Sequence, residues 1–471
     1  MNTITMPDDL AFSSLAGLAE ALRERRISPV EITRAMLERI DAVDPRLHAY
    51  RTVMAETALA EAEKAEQEIA GGDYRGPMHG VPYAAKDLCF TLDAPTSFGS
   101  VAYGDWMAPH ESTVTARLRA AGAVLLGKLH MTEGAVATHH PDIPQPVNPW
   151  GEKRWTGVSS SGSGVATAAG LCFGAIGSDT GGSIRFPSAA CGLTGMKPSW
   201  GRVSRYGIVP LSPSYDHIGP ITRSAEDAAI MLQVMAGHDA NDPTSLRAPV
   251  PDYRAGLADV PTGLRIGVDE AALSGIQPAV RAALDHVVAT LASAAGARPV
   301  PCAIPDQDGL LPACWTIISA ELAVAHETMD RADRYGPSLI ELIERSRKTP
   351  AADIVRAFYR RDEFAGRFRD MFDEIDVLVL PVLPVATPPA AIMTLERMVH
   401  QDLGVGRFSV LLNATGSPSL TIPAGFDENG MPIGIQLVGP RLSEDRLFAL
   451  GHAFQRATDW HLRQPSITAV A

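Results

Sequence analysis

A chain of 471 residues with 46% hydrophobic and 20% charged residues has the makeup of a globular enzyme and not of a disordered or fibrous chain. Its 41 basic and 54 acidic residues, a net charge of −13, argue against broad contact with nucleic-acid backbone or an anionic membrane, both of which demand Lys and Arg clusters. The cysteines Cys89, Cys172, Cys191, Cys302 and Cys314 are odd in number and form no CxxC pair, so neither a disulfide framework nor a zinc site is indicated and a reducing cytoplasm is expected.

Asp8 and Asp9 stand where a secretory signal needs positive charge and an apolar run, so no export signal is read. Ser28-Pro29-Val30-Glu31 predicts a capping box with proline at the first helical position, and Ile32, Met36 and Ile40 then mark an apolar face. "ETALAEAEKAEQEIAGG" is a second helix stopped by Gly71-Gly72. "GPMHGVPYAAKDL" reads as a short turn-rich stretch, and "STVTARLRAAGAVLLGKLH" as a helix, a glycine stop at Gly122 and a buried strand over 123–126. The longest uncharged stretch, 155–178, is too rich in Ser and Gly for a bilayer helix; it reads as a small-residue helix over 164–170 and an apolar run over 171–176. Further strands are expected over 264–269, 376–382, 419–426 and 433–439, interleaved with helices such as "RSAEDAAIMLQVMAG". The fold class is therefore α/β: one large domain over 1–471 whose central sheet lies between helical layers. N-terminal helices occupy 1–75, the core 76–225, and a more helical region over 305–405, with Trp315, His326 and "MTLERMVHQDLGVGRF", covers the active site.

Several patterns that invite a functional reading fail on chemistry. "GAVLLGKL" matches a phosphate loop until Leu129 takes the place of the required Ser or Thr. His139-His140 lacks the helical i, i+4 spacing of a zinc hydrolase, and "AHETM" around His326 does not complete HExxH. No GxSxG nucleophile elbow is present. What remains is two serine-rich glycine turns, "TGVSSSGSGVA" and "GSDTGGSIR", and one lysine in "HGVPYAAKDL". A short helix and strand between the turns bring Ser159 and Ser183 to the same end of a layer. Glycines beside Ser183 let successive N–H groups converge on a developing oxyanion. Each turn alone reads more readily as plain loop, and Lys86 alone equally as a solvated lysine paired with Asp87. Lodged among small and apolar groups, Lys86 would instead lose its charge and serve as a base.

Taken in order, "GVPYAAKD", "GVSSSGSG" and "SDTGGSIRFPSAACG" resemble the amidase signature family, and the resemblance runs on through "SPSLTIPAGF" and "MPIGIQLVGP" over nearly the whole chain. It implies a mixed sheet between helical layers and hydrolysis of an amide C–N bond, with Ser183 as nucleophile, Ser159 on a cis peptide bond and Lys86 as terminal base. Backbone N–H groups of Thr180, Gly181, Gly182 and Ser183 form the expected oxyanion hole, and Ser160, Asp179 and Arg185 support it. Neither metal nor other cofactor is called for. Gly134 replaces a bulky aromatic common in the family, so a roomier pocket near Met131 and Gly134 is expected, suited to an aryl amide, anilide or carbamate. The glutaminase subunit of tRNA-dependent amidotransferases, a member of the same family, is the first alternative. Against it, Phe186 stands where that subunit usually has glutamine, and "SPSYDHIGP" departs from its "SSLDQIGP". A degenerate binding or scaffold homologue is the second alternative. The expected partner is a small-molecule amide or carbamate, with no nucleic acid and no membrane; the resemblance is compatible with a homodimer.

Overall fold

The capping box forms as the sequence dictates. Ser28 Oγ accepts from the Glu31 N–H at 3.0 Å, and Glu31 Oε2 accepts from the Ser28 N–H at 2.9 Å, which starts the helix Pro29–Leu47. That helix buries Ile32, Met36 and Ile40. The structure is a computed structural model describing residues 8–327, 330–394, 396–397 and 404–467. Residues 328, 329, 395 and 398–403 of the expected cover region, and 1–7 and 468–471 at the ends, lie outside the described residues.

The strands are β1 (Tyr50–Val53), β2 (Pro82–Lys86), β3 (Val124–Leu129), β4 (Gly174–Asp179), β5 (Thr194–Lys197), β6 (His217–Thr222), β7 (Arg265–Val268), β8 (Arg298–Pro301), β9 (Val377–Pro381), β10 (Ser419–Phe426) and β11 (Pro432–Val438). They form one sheet in the order β1-β3-β2-β4-β6-β5-β10-β11-β9-β7-β8. The sheet is mixed: β2 runs parallel to β3 and β4, whereas β4–β6, β5–β6, β5–β10 and β10–β11 are antiparallel. Strands β1 to β6 make one half and β7 to β11 the other. A seam of three residue pairs, Lys197–Ser419, Met196–Leu420 and Gly195–Thr421, joins them.

The largest departure from the sequence reading is β2, expected as a turn-rich stretch. All five of its residues are buried, and a strand paired on both edges needs no help from β-branched side chains. The alanines at 84 and 85 lie between β3 and β4, where the helix Ser161–Ala168 packs against all three strands. Gly162 permits that approach, since a Cβ there would stand 2.6 Å from the carbonyl oxygens of Ala49 and His130. The uncharged 155–178 stretch thus resolves into a loop, this helix and β4. Among the described residues no helix is long and apolar enough to cross a membrane. On the other half, the helix Leu310–Ala325 packs against the helices Pro337–Arg347 and Ala351–Asp370.

Candidate active site

Lys86 ends β2 with its side chain wholly removed from solvent. Its ammonium would lose hydration in that position, and burial draws its pKa down from the ordinary lysine value to about 7, against the opposing pull of Cys89, Asp179 and Asp216. Among the described residues no carboxylate contacts it. Asp87, the neighbour in sequence, faces elsewhere: its Oδ1 lies 3.1 Å from Lys128 Nζ, and its Oδ2 accepts from the Ser97 N–H at 3.1 Å and from the Ser97 hydroxyl. The same contact explains Lys128, the lysine of the discarded phosphate loop, which also donates to Thr96 Oγ1 at 2.8 Å. Lys86 Nζ instead meets three hydroxyls: Ser159 Oγ at 2.6 Å, Ser178 Oγ at 2.8 Å and Ser160 Oγ at 2.9 Å.

The peptide bond between Val158 and Ser159 is cis. Just before it, Gly157 has φ +75°, and a Cβ there would stand 2.3 Å from the Pro187 nitrogen, so only glycine fits between the two serine turns. Ser160 closes a small ring with β4. Its hydroxyl donates to the Ser178 carbonyl at 3.2 Å and accepts from the Ser178 N–H at 3.3 Å.

Asp179 at the end of β4 organises the second turn. Its carboxylate accepts from the N–H groups of Gly182 (2.8 Å) and Ile184 (3.1 Å) and from Arg185 Nε (3.0 Å) and Nη2 (2.8 Å). Burial alone would raise the Asp179 pKa, but the adjoining guanidinium outweighs it and holds the carboxyl well below the usual range. Arg185 is itself buried and donates further to the Ser409 carbonyl at 3.0 Å and to Asn413 Oδ1 at 2.6 Å. Thr180 is held through its hydroxyl, which donates to Asp216 Oδ1 at 2.5 Å. At Gly182 (φ +135°) a Cβ would meet the Phe186 ring at 2.4 Å.

This arrangement amends the expected oxyanion hole in one respect. The Gly182 N–H is already engaged by Asp179, which leaves the amides of Thr180, Gly181 and Ser183; among the described residues these donate to no protein acceptor. Ser183 Oγ also has no protein partner among the described residues, and it lines a cavity of about 570 Å³. Val158 and Phe186 form part of its wall, and Trp315, Ile318, Leu322 and Leu342 from the helical region reach the same space. Lys86 and Ser159 thus join by a short hydrogen bond in the buried layer behind the cavity, while Ser183 sits at its surface.

The expected pocket at Met131 and Gly134 does not open. Neither residue lines the cavity, Met131 is 1% exposed, and a Cβ on Gly134 would lie 3.1 Å from Leu339 Cδ1 and 3.5 Å from His326 Nε2. Leu339 occupies the volume that an aromatic side chain would need. The rejected histidines have packing partners: His139 Nε2 bonds Ser161 Oγ at 2.9 Å, and His326 Nδ1 bonds the Tyr335 hydroxyl at 2.9 Å. Among the described residues no group of three His, Cys, Asp or Glu side chains is placed to hold a metal ion. Sequence reasoning missed Ser178, Asp216, Ser409 and Asn413. Ser178 was within reach, standing inside the "GSDTGGS" turn, as was Asp216 inside "SPSYDHIGP"; Ser409 and Asn413 come from a distant segment with no motif of its own.

The family model described as Amidase matches residues 31–448. A Mycobacterium tuberculosis protein named "Putative amidase AmiD" is 44% identical over 470 residues, spanning 98% of this chain and 97% of its own. A glutamyl-tRNA(Gln) amidotransferase subunit from Methylococcus capsulatus is 38% identical, spanning 96% and 98%. Among solved structures, the native peptide amidase of Stenotrophomonas maltophilia superposes with a TM-score of 0.84 at 30% identity, covering 98% of this chain and all of that one.

Proposed function

Since the chain belongs to the amidase family, hydrolases of amide C–N bonds, we propose that it cleaves a small-molecule amide through an acyl-enzyme on Ser183, with Ser159 and Lys86 as the proton relay. The observation that carries this is the Lys86 amine: buried, free of any carboxylate contact, and 2.6 Å from Ser159 Oγ.

A neutral amine has two N–H donors and one lone pair, and it meets three hydroxyls. Ser160 gives its own proton to the Ser178 carbonyl, so toward Lys86 it accepts. With Ser178 accepting the other N–H, the lone pair is aimed at the Ser159 hydroxyl. Ser159 then passes its proton to Lys86 while accepting one from Ser183, whose oxygen bonds to the substrate carbonyl carbon. The oxyanion is received by the N–H groups of Thr180, Gly181 and Ser183, each well-placed donor contributing about 3 kcal/mol. Collapse breaks the C–N bond as the relay returns the proton to the leaving nitrogen. Water then repeats the sequence: its oxygen adds to the acyl carbon, its proton enters the relay, the ester C–O bond breaks and Ser183 regains its hydrogen.

The cavity favours an amide with an apolar aryl or alkyl body over free glutamine. Glutamine carries an α-ammonium as well as an α-carboxylate, and among the described residues no Asp or Glu lines the cavity to receive the ammonium. A carbamate offers the same carbonyl and the same leaving nitrogen. The scaffold alternative loses its ground, since Lys86, Ser159 and Ser183 are all present in a chain of a hydrolase family. The test is a fluorophosphonate probe followed by peptide mapping, with purified chain alone assayed on primary amides, anilides, carbamates and glutamine. Label on Ser183 and turnover of anilides are expected. Absence of label with an intact fold, or turnover confined to glutamine and dependent on added subunits, would overturn the reading.

A further inference from the structure

The cavity before Ser183 is apolar over most of its wall, and one charged side chain, Arg345, is among its described lining residues. That charge is unexpected from the chain as a whole, which carries 54 acidic and 41 basic residues. Arg345 lies in the last turn of the helix Pro337–Arg347, where a cation complements the helix dipole. Arg347 and Lys348 occupy the same end, however, and neither lines the cavity. Glu341 and Glu344 share the helix, yet neither forms an ion pair with Arg345, and among the described residues its guanidinium has no side-chain partner. Ser346 and Thr349, and Thr316 and Ser319 of the helix Leu310–Ala325, also line the cavity; the Ser346 and Thr316 hydroxyls donate to the Leu342 and Pro312 carbonyls at 2.8 and 2.9 Å. The cavity wall is therefore apolar on both sides, with Val158 and Phe186 on one and Trp315, Ile318, Leu322 and Leu342 on the other, and Arg345 is the one charged side chain among its described lining residues.

Resting on the amidase reading above, we propose that the substrate is an amide bearing a carboxylate remote from the scissile bond, and that Arg345 receives that carboxylate. A guanidinium presents a planar fork of N–H donors that matches a carboxylate in bidentate fashion, which a lysine in the same place would not. An exposed position limits the attraction and makes it sensitive to salt, so the contribution is to substrate selection and capture and not to the bond-breaking step. The product pair would include an acidic fragment, and a reaction that makes a dicarboxylic acid amide or an amide of an amino acid would supply the substrate.

The experiment uses two probe series with the full chain. The mono-4-nitroanilides of succinic, glutaric, adipic and suberic acids place the carboxylate on the acyl side, and each is paired with the uncharged alkanoyl anilide of equal chain length. Acetamidobenzoate and its uncharged methyl analogue place it on the amine side. In one series the acid is expected to show a KM at least about tenfold below its neutral partner, with the gap narrowing as salt rises. Arg345→Ala should shrink that ratio about tenfold, and Arg345→Glu should reverse it in favour of an acyl anilide ending in trimethylammonium. Equal KM values for acid and neutral partner in both series, or a ratio that survives both substitutions, would overturn the inference while leaving the amidase reading in place. Failure to turn over any anilide, with Ser183 unlabelled, would overturn both.

Discussion

The β2–β4 tier and the helical region over 305–405 face each other across one cavity, and they are built on opposite terms. On the tier side, Lys86, Ser160, Asp179 and Arg185 are completely buried, Lys86 bonded to Ser160 and Arg185 to Asp179, and glycines at 157 and 182 stand where a Cβ would strike a neighbour within 2.5 Å. On the opposite side, the helices Leu310–Ala325 and Pro337–Arg347 present one face to the cavity and leave the other to solvent, with Val324 69% exposed. Added volume at Gly157 or Gly182 meets a neighbouring atom, and loss of charge at Asp179 or Arg185 leaves a buried ionic partner unmatched. The helices can exchange lining residues at the cost of local packing alone. On the proposed mechanism, chemistry is thereby fixed in one layer and choice of substrate is left to the other.

This division is most directly broken at its centre. Ser183→Ala and Lys86→Ala should each lower kcat by about 10⁴-fold with the circular dichroism spectrum unchanged, as removal of a nucleophile or its base does elsewhere. Near-normal turnover in either would place the chemistry outside the tier. A second test reads the amine itself. On the proposed mechanism the active form holds Lys86 neutral, and protonation removes that form as pH falls through about 7, so kcat/KM should drop about tenfold per unit below that value and level off above it. Asp216, pushed up to about 6 by burial, titrates nearby and its charge raises the Lys86 pKa, so Asp216→Asn should move the limb to lower pH without abolishing it if Lys86 is its source; loss of the limb would assign it to Asp216. Third, Ser178→Ala removes one acceptor that orients the amine and should cost about tenfold in kcat with KM little changed. The smallest effect belongs to the opposite wall: Trp315→Ala should raise KM for a bulky anilide by about threefold to tenfold and leave kcat nearly intact. An equal fall in kcat would show that the helical layer shapes the reacting geometry as well.

Legibility in the sequence follows the same divide. The strands β9, β10 and β11 stand out as apolar runs bounded by turns, and the three segments carrying Lys86, Ser159 and Ser183 are contiguous motifs, so both were readable. Strand β2 was not, because Tyr83, Ala84, Ala85 and Lys86 lack the β-branched character of a strand and owe their conformation to pairing on both edges. β6 hides Gly219 and Pro220 within its span, and β8, "RPVP", holds two prolines at the sheet's edge. In the site, Asn413 and Ser409 lie more than 220 residues from the turn they brace, and nothing local announces them. Gly134 shows the reverse failure: a missing side chain was visible in the sequence, whereas Leu339, which fills its place, was not.

The seam between β5 and β10 carries a consequence for the order in which the protein is made. Lys86, Ser159 and Ser183 leave the ribosome early, yet the groups that hold the Arg185 guanidinium against the nucleophile turn, Ser409 and Asn413, emerge more than 220 residues afterwards. A nascent chain that already contains Lys86, Ser159 and Ser183 therefore holds Arg185 through Asp179 alone, and the remaining contacts of that guanidinium wait for the last part of synthesis.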